Sequence, residues 1–171
     1  MLTASAEGRL FIRQNKPLLE ALLANLEDEH GLIKKDAILC LVNLSADEPF
    51  VTVCLESYNI LPTLVKLVTT ASSANADKAC SVLSNFTRNS IHAKKVFESL
   101  ESHLPLLLGI YTKIKYNTMG QNLDYLGQFF ANITQCPAGR LFCEFFLFKF
   151  QPFSIFQKLD SKFGGFYQFK I

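Results

Sequence analysis

The chain has 171 residues, 49% of them hydrophobic and 19% charged. That balance excludes a disordered chain and allows one sizeable core or one run of stacked repeats. The net charge is +2, but residues 145–171 hold four lysines and one aspartate, which leaves residues 1–144 at −1. The body of the chain therefore carries no electrostatic footprint for nucleic acid.

The opening stretch MLTASAEGRLFIRQNK has no apolar run of the signal-peptide kind, and charge appears by Glu7 and Arg9. No segment reaches the roughly 18–20 apolar residues of a membrane span. The first predicted helix is KPLLEALL (16–23). Pro17 suits its start, because the missing N–H would have no intrahelical partner there. A second helix is predicted through DAILCLVNLS (36–45), with Asn43 near its end. A third, shorter one follows in SADEPFVTVCLES, where Ser45 and Glu48 have capping-box spacing. The pattern then returns. LPTLVKLV (61–68) carries Pro62, KACSVLSNFT (78–87) carries Asn85, and RNSIHAKKVFES follows. It returns again in LPLLLGIY (104–111) with Pro105, YLGQFFANIT (125–134) with Asn132, and CPAGRLFCE.

The prolines are 45 and 43 residues apart, and the asparagines 42 and 47. Two unrelated markers in phase at one period indicate an internal repeat, and a period in the forties belongs to HEAT and armadillo arrays. Positions −6, −3, −2 and +1 from each asparagine are all apolar: Ala37, Cys40, Leu41, Leu44; Ala79, Val82, Leu83, Phe86; Leu126, Phe129, Phe130, Ile133. They share one arc of roughly 100° on a helix. Three helices per unit is the armadillo arrangement. The expected fold is all-α, a right-handed armadillo-type α-solenoid over residues 1–144. Its units cover about 10–45, 46–88 and 89–135, and a fourth starts at 136–144.

NLS (43–45), NFT (85–87) and NIT (132–134) fit the N-glycosylation pattern. The missing leader, and five cysteines without tight spacing, point instead to a reducing, cytoplasmic setting in which the pattern is structural. Each Ser or Thr falls at the corner where one unit ends and the next begins, where its hydroxyl can pair with freed backbone groups. Each asparagine falls about 60° outside its apolar arc, at the rim. Asn43, Asn85 and Asn132 could line a groove and hydrogen-bond an extended peptide, or tie their helix to a neighbouring loop.

The rest of the chemistry is sparse. His30, His92 and His103 sit in charged or loop-like stretches and read as surface residues. Cys136 and Cys143 have no matching histidine pair, so no metal site is expected. No phosphate-binding glycine motif occurs, and Asp47-Glu48 and Glu27-Asp28-Glu29 read as helix-end acids. A non-enzyme is expected, without cofactor, small-molecule ligand, nucleic acid or membrane as partner. Residues 145–171 hold nine of the sixteen phenylalanines and break the repeat. That tail reads as translated A/T-rich non-coding DNA and not as native repeat, with a natural short isoform or an apolar partner-binding tail as the alternatives.

The run YNTMGQNLDYLGQFFANITQCPAGRLF (116–142), with LVNLSADE and SVLSNFTRN before it, resembles the HGH, or brain protein 16-like, family over roughly residues 10–144. The match is most specific at Tyr116-Asn117, Tyr125-Leu126, Asn132-Ile133-Thr134-Gln135, Pro137-Ala138 and Arg140. The resemblance implies an armadillo-type cytosolic protein. It further implies a cochaperone adaptor that brings translation elongation factor 2 to the ring-shaped chaperonin and the Hsp90 system. It implies no catalytic residue. The alternative left open by the residues is a general armadillo peptide-binding scaffold in transport or signalling.

Overall fold

The structure, a computed structural model, describes residues 2–70, 73–113 and 124–150. A short 3-10 turn at Leu2–Ala4 precedes ten helices: α1 Ala6–Gln14, α2 Lys16–Ala24, α3 Gly31–Leu44, α4 Glu48–Ser57, α5 Leu61–Thr70, α6 Ser73–Phe86, α7 Ser90–Leu100, α8 Leu104–Lys113, α9 Asp124–Ile133 and α10 Pro137–Phe150. No strand occurs among the described residues.

The predicted markers fall on matching elements. Pro17, Pro62 and Pro105 are each the second residue of their helix, α2, α5 and α8. Asn43, Asn85 and Asn132 are each the penultimate residue of α3, α6 and α9. The helices after them are α4, α7 and α10; α4 and α7 are shorter than the helices they follow, as expected, but α10, with 14 residues, is longer than α9 with 10. Equivalent helices pack on one another in rows. α6 lies between α3 and α9, α7 lies between α4 and α10, and α5 packs against α8. This is an α-solenoid: each helix buries its apolar stripe on its own unit and on the next.

The buried stripe is the one the asparagine count predicts. Of the twelve apolar positions, all but the half-buried Cys40 are buried, and Leu41, Leu44, Leu83, Phe86, Phe129 and Ile133 are fully so. At about 1.5–3 kcal/mol for each large side chain, this stripe outweighs any single polar link in the fold. Phe50 and Cys54 of α4, Leu64 of α5, and Leu100 and Leu104 continue the core.

The helix starts are held locally. Ser5 caps α1 by accepting from Gly8 N–H at 3.0 Å, Asn15 caps α2 through Leu18 N–H at 3.2 Å, and Asn89 caps α7 through His92 N–H at 2.8 Å. The predicted capping box at Ser45 and Glu48 does not form. α4 starts after Asp47, which makes no side-chain cap bond. Ser45 Oγ instead donates to Val42 O at 2.8 Å, and Glu48 Oε1 accepts from Asn89 Nδ2 at 2.6 Å. The carbonyls freed at the end of α3 capture the hydroxyl first. Asp47 is drawn to Arg13 of α1, 2.9 Å away.

α10 runs six residues past the boundary expected at 144, to Phe150. Residues 151–171 of the expected foreign tail lie outside the described residues.

Candidate functional site

The three candidate asparagines stand in one row and perform one job. Asn43 Nδ2 donates to Thr3 Oγ1 at 3.1 Å, and Asn85 Nδ2 donates to Ser45 Oγ at 2.8 Å. Asn132 Nδ2 donates to Ser84 O at 3.0 Å and lies 3.3 Å from Thr87 Oγ1. For Asn85 and Asn132, the Asn of one N-x-[ST] motif thus reaches the Ser or Thr of the motif before it, whereas Asn43 reaches Thr3, which belongs to no such motif. Gln135 Nε2 extends the third link to Thr87 O at 3.3 Å.

Two of the accepting hydroxyls are oriented from below. Thr87 Oγ1 donates to Leu83 O at 3.0 Å, as Ser45 does to Val42 O, which leaves its lone pairs turned to the incoming amide. Ser45 and Thr87 are 1% and 0% exposed. The three asparagines are half-buried, at the rim where the helical wheel puts them. Each amide nitrogen gives at least one hydrogen bond to this ladder.

Pairing across units escapes a reading of each motif by itself. A signal for it was present: Thr3 stands 40 residues before Asn43, in phase with the repeat. Thr3 is 2% exposed, held in the turn at Leu2–Ala4, whose carbonyls at Thr3 and Ala4 accept from Arg9 Nη1 at 3.3 and 3.0 Å.

The histidines divide differently from the surface expectation. His30 is exposed and His103 half-buried, but His92 is 7% exposed, enclosed between α7 and α4. Its neighbours in sequence, SIHAKK, are polar, but the helix turns the ring toward Thr52 of α4, 3.1 Å away. Burial lowers its pKa from the ordinary 6.5, and Lys95 opposes the proton further, while Glu48 and Glu56 favour it.

Burial pushes the thiols of Cys54, Cys80 and Cys143 up to about 12, so none is poised as a nucleophile or metal ligand. Among the described residues no three His, Cys, Asp or Glu side chains cluster as a metal site. Asp77 of α6 has one carboxylate oxygen buried without a hydrogen-bond partner among the described residues. Its pKa is raised by burial and by Asp124, against the pull of Lys78. Two other acids link elements of different units. Glu56 of α4 pairs with Lys95 of α7 at 2.9 Å, and Glu27 accepts from Thr63 of α5 at 2.9 Å. No single described helix is long and apolar enough to cross a membrane. α3 and α4 pass together by composition, but the chain bends by 118° between them.

The family described as a domain of unknown function, DUF383, matches residues 67–159, more than half of the chain. A protein named Protein HGH1 homolog from Drosophila pseudoobscura pseudoobscura is 30% identical over 178 residues, which cover 96% of this chain and 48% of that protein. The protein of the same name from Danio rerio is 27% identical over 171 residues, covering 96% and 45%. The one from Xenopus laevis is 31% identical over 144 residues, covering 82% and 40%. The chain thus spans about half the length of the curated relatives it matches. It belongs to the DUF383 family, the family of the HGH1 homologs.

Proposed function

We propose that this chain is a non-enzymatic, cytoplasmic protein-binding scaffold of armadillo type. In this reading it is a cochaperone adaptor that assists folding of translation elongation factor 2 with the cytosolic chaperonin and Hsp90. The observation that carries the reading is the HGH-type run around Asn132-Ile133-Thr134-Gln135 and Pro137-Ala138. The fold supports it physically. A stack of packed helices offers a long, stiff surface that can hold a partly folded client while other faces recruit the folding machines. Leu32 on α3, Tyr125 on α9 and Leu141 and Phe145 on α10 are 77%, 48%, 66% and 60% exposed. Side chains of this kind suit a client whose own apolar surface is not yet buried.

Affinity capture with the tagged chain, and in parallel with a full-length relative, followed by mass spectrometry, tests this. The expected result is elongation factor 2 together with chaperonin subunits. Capture of neither by the full-length relative would overturn the reading.

The rival is a general peptide-binding scaffold that reads linear motifs through Asn85 and Asn132. It predicts that Asn85→Ala or Asn132→Ala abolishes peptide capture without loss of fold. Because Asn85 Nδ2 is bound to Ser45, the ladder adds that Asn85→Ala lowers stability whether or not a peptide binds.

A further inference from the structure

His92 sits in a closed hydrogen-bond circuit between α4 and α7. Asn89 Oδ1 accepts the backbone N–H of His92 at 2.8 Å and so caps α7. Asn89 Nδ2 donates to Glu48 Oε1 at 2.6 Å and lies 3.1 Å from His92 Nδ1. An amide nitrogen can only donate, so Nδ1 accepts and the ring carries its proton on Nε2. That Nε2–H points to Thr52 Oγ1 at 3.1 Å, and the Thr52 hydroxyl passes its own hydrogen to Glu48 O at 3.2 Å. Each donor in the circuit meets one acceptor, and the circuit joins the first helices of two successive units.

This balance holds for the neutral ring alone. A proton on Nδ1 would set two N–H donors face to face at 3.1 Å. Turning the Asn89 amide to offer its oxygen would take Oδ1 away from His92 N–H and uncap α7. Moving the ring instead would break its bond to Thr52 of α4. Both responses loosen the same junction. We propose that His92 is a proton-operated latch between α4 and α7: it is closed with a neutral ring and opens the start of α7 when Nδ1 is protonated.

Among the described residues, the charges acting on the ring are Glu48 and Glu56 on α4, which favour the proton, and Lys95 on α7, which opposes it. Burial is the largest influence and holds the folded pKa below the ordinary 6.5. The unfolded chain therefore takes up the proton more readily than the folded one. The stability His92 contributes is complete above 6.5 and is lost as pH falls through 6.5 toward the folded value. The latch is closed at neutral pH.

Two measurements on the intact chain test this. Ring nitrogen NMR shifts of His92 at pH 7.5 should report the Nε2–H form, with a titration midpoint below 6.5. The Nδ1–H form, or a midpoint at or above 6.5, would overturn the proposal. Amide hydrogen exchange between pH 7.5 and pH 5.5 should show protection factors at the start of α7 dropping severalfold, with α3 and α6 unchanged. His92→Gln, which cannot titrate, should show no such drop. A drop of equal size in the variant, or none in the natural chain, would also overturn it. If the variant does not fold, the tautomer and the titration of the natural chain decide alone.

Discussion

Ser45 makes two bonds at once, giving its hydrogen to Val42 O and accepting from Asn85 Nδ2. Ser45→Ala and Asn85→Ala should each cost about 1 kcal/mol in urea unfolding, the net worth of a hydrogen bond between partly buried groups. The double variant should cost less than the sum by about 0.5–1 kcal/mol. Strictly additive costs would mean that the link carries no coupling between units. Asp77 is the opposite kind of residue, since its ionised form is disfavoured by burial and by Asp124. Its folded pKa is raised, so the stability tied to it is complete below 3.8 and lost as pH rises through the folded value. Asp77→Asn should therefore raise the Tm at pH 7, and the gain should shrink as the pH approaches 3.8. At this scale the sequence showed which residues repeat, and not whom they touch. Asn43, Asn85 and Asn132 were placed at the rim from local periodicity alone. Their partners Thr3, Ser45 and Thr87 lie 40–45 residues away, beyond the reach of any local rule. His92 was misplaced for a related reason, because polar neighbours in sequence say little about which way one helical side chain turns.

Helices were more legible than contacts. The apolar stripe ending at Leu44, Phe86 and Ile133 is set by a 3.6-residue period that holds wherever a helix packs on another. Proline marks three helix starts because it carries no N–H to leave unpaired there. The capping box failed because spacing is only one condition for it. Ser45 already serves the end of α3, and Asp47 stands at the N-cap position. One tight element junction remained unseen in the sequence. A Cβ added at Gly139, near the start of α10, would run into the carbonyl oxygen and side chain of Ile133 at the end of α9. The carbonyl belongs to the backbone and cannot swing aside. Gly139→Ala should therefore cost about 2 kcal/mol of stability. The same change at Gly31, where an added Cβ meets nothing within 4 Å, should not destabilise and serves as the control in a thermal melt.

The whole molecule is a row of nearest neighbours, and its opening should follow that order. Cys80 lies in α6, flanked by α3 and α9, while Cys143 lies in α10, against α7 and α9. With pKa values near 12, fewer than about one in a thousand of these thiols is ionised at pH 8. Alkylation then reports opening of the surrounding helices. In rising urea at pH 8, Cys143 should label before Cys80; simultaneous labelling would show that the units open as one. The ladder also sets a timetable for synthesis. Each accepting hydroxyl leaves the ribosome 40–45 residues before the amide that will bind it. At translation rates of about 5–20 residues per second, that is a wait of roughly 2–9 s. During that interval the newest unit stands with its corner unfastened, and each arriving asparagine helix closes it, like a ratchet tooth dropping behind the growing chain.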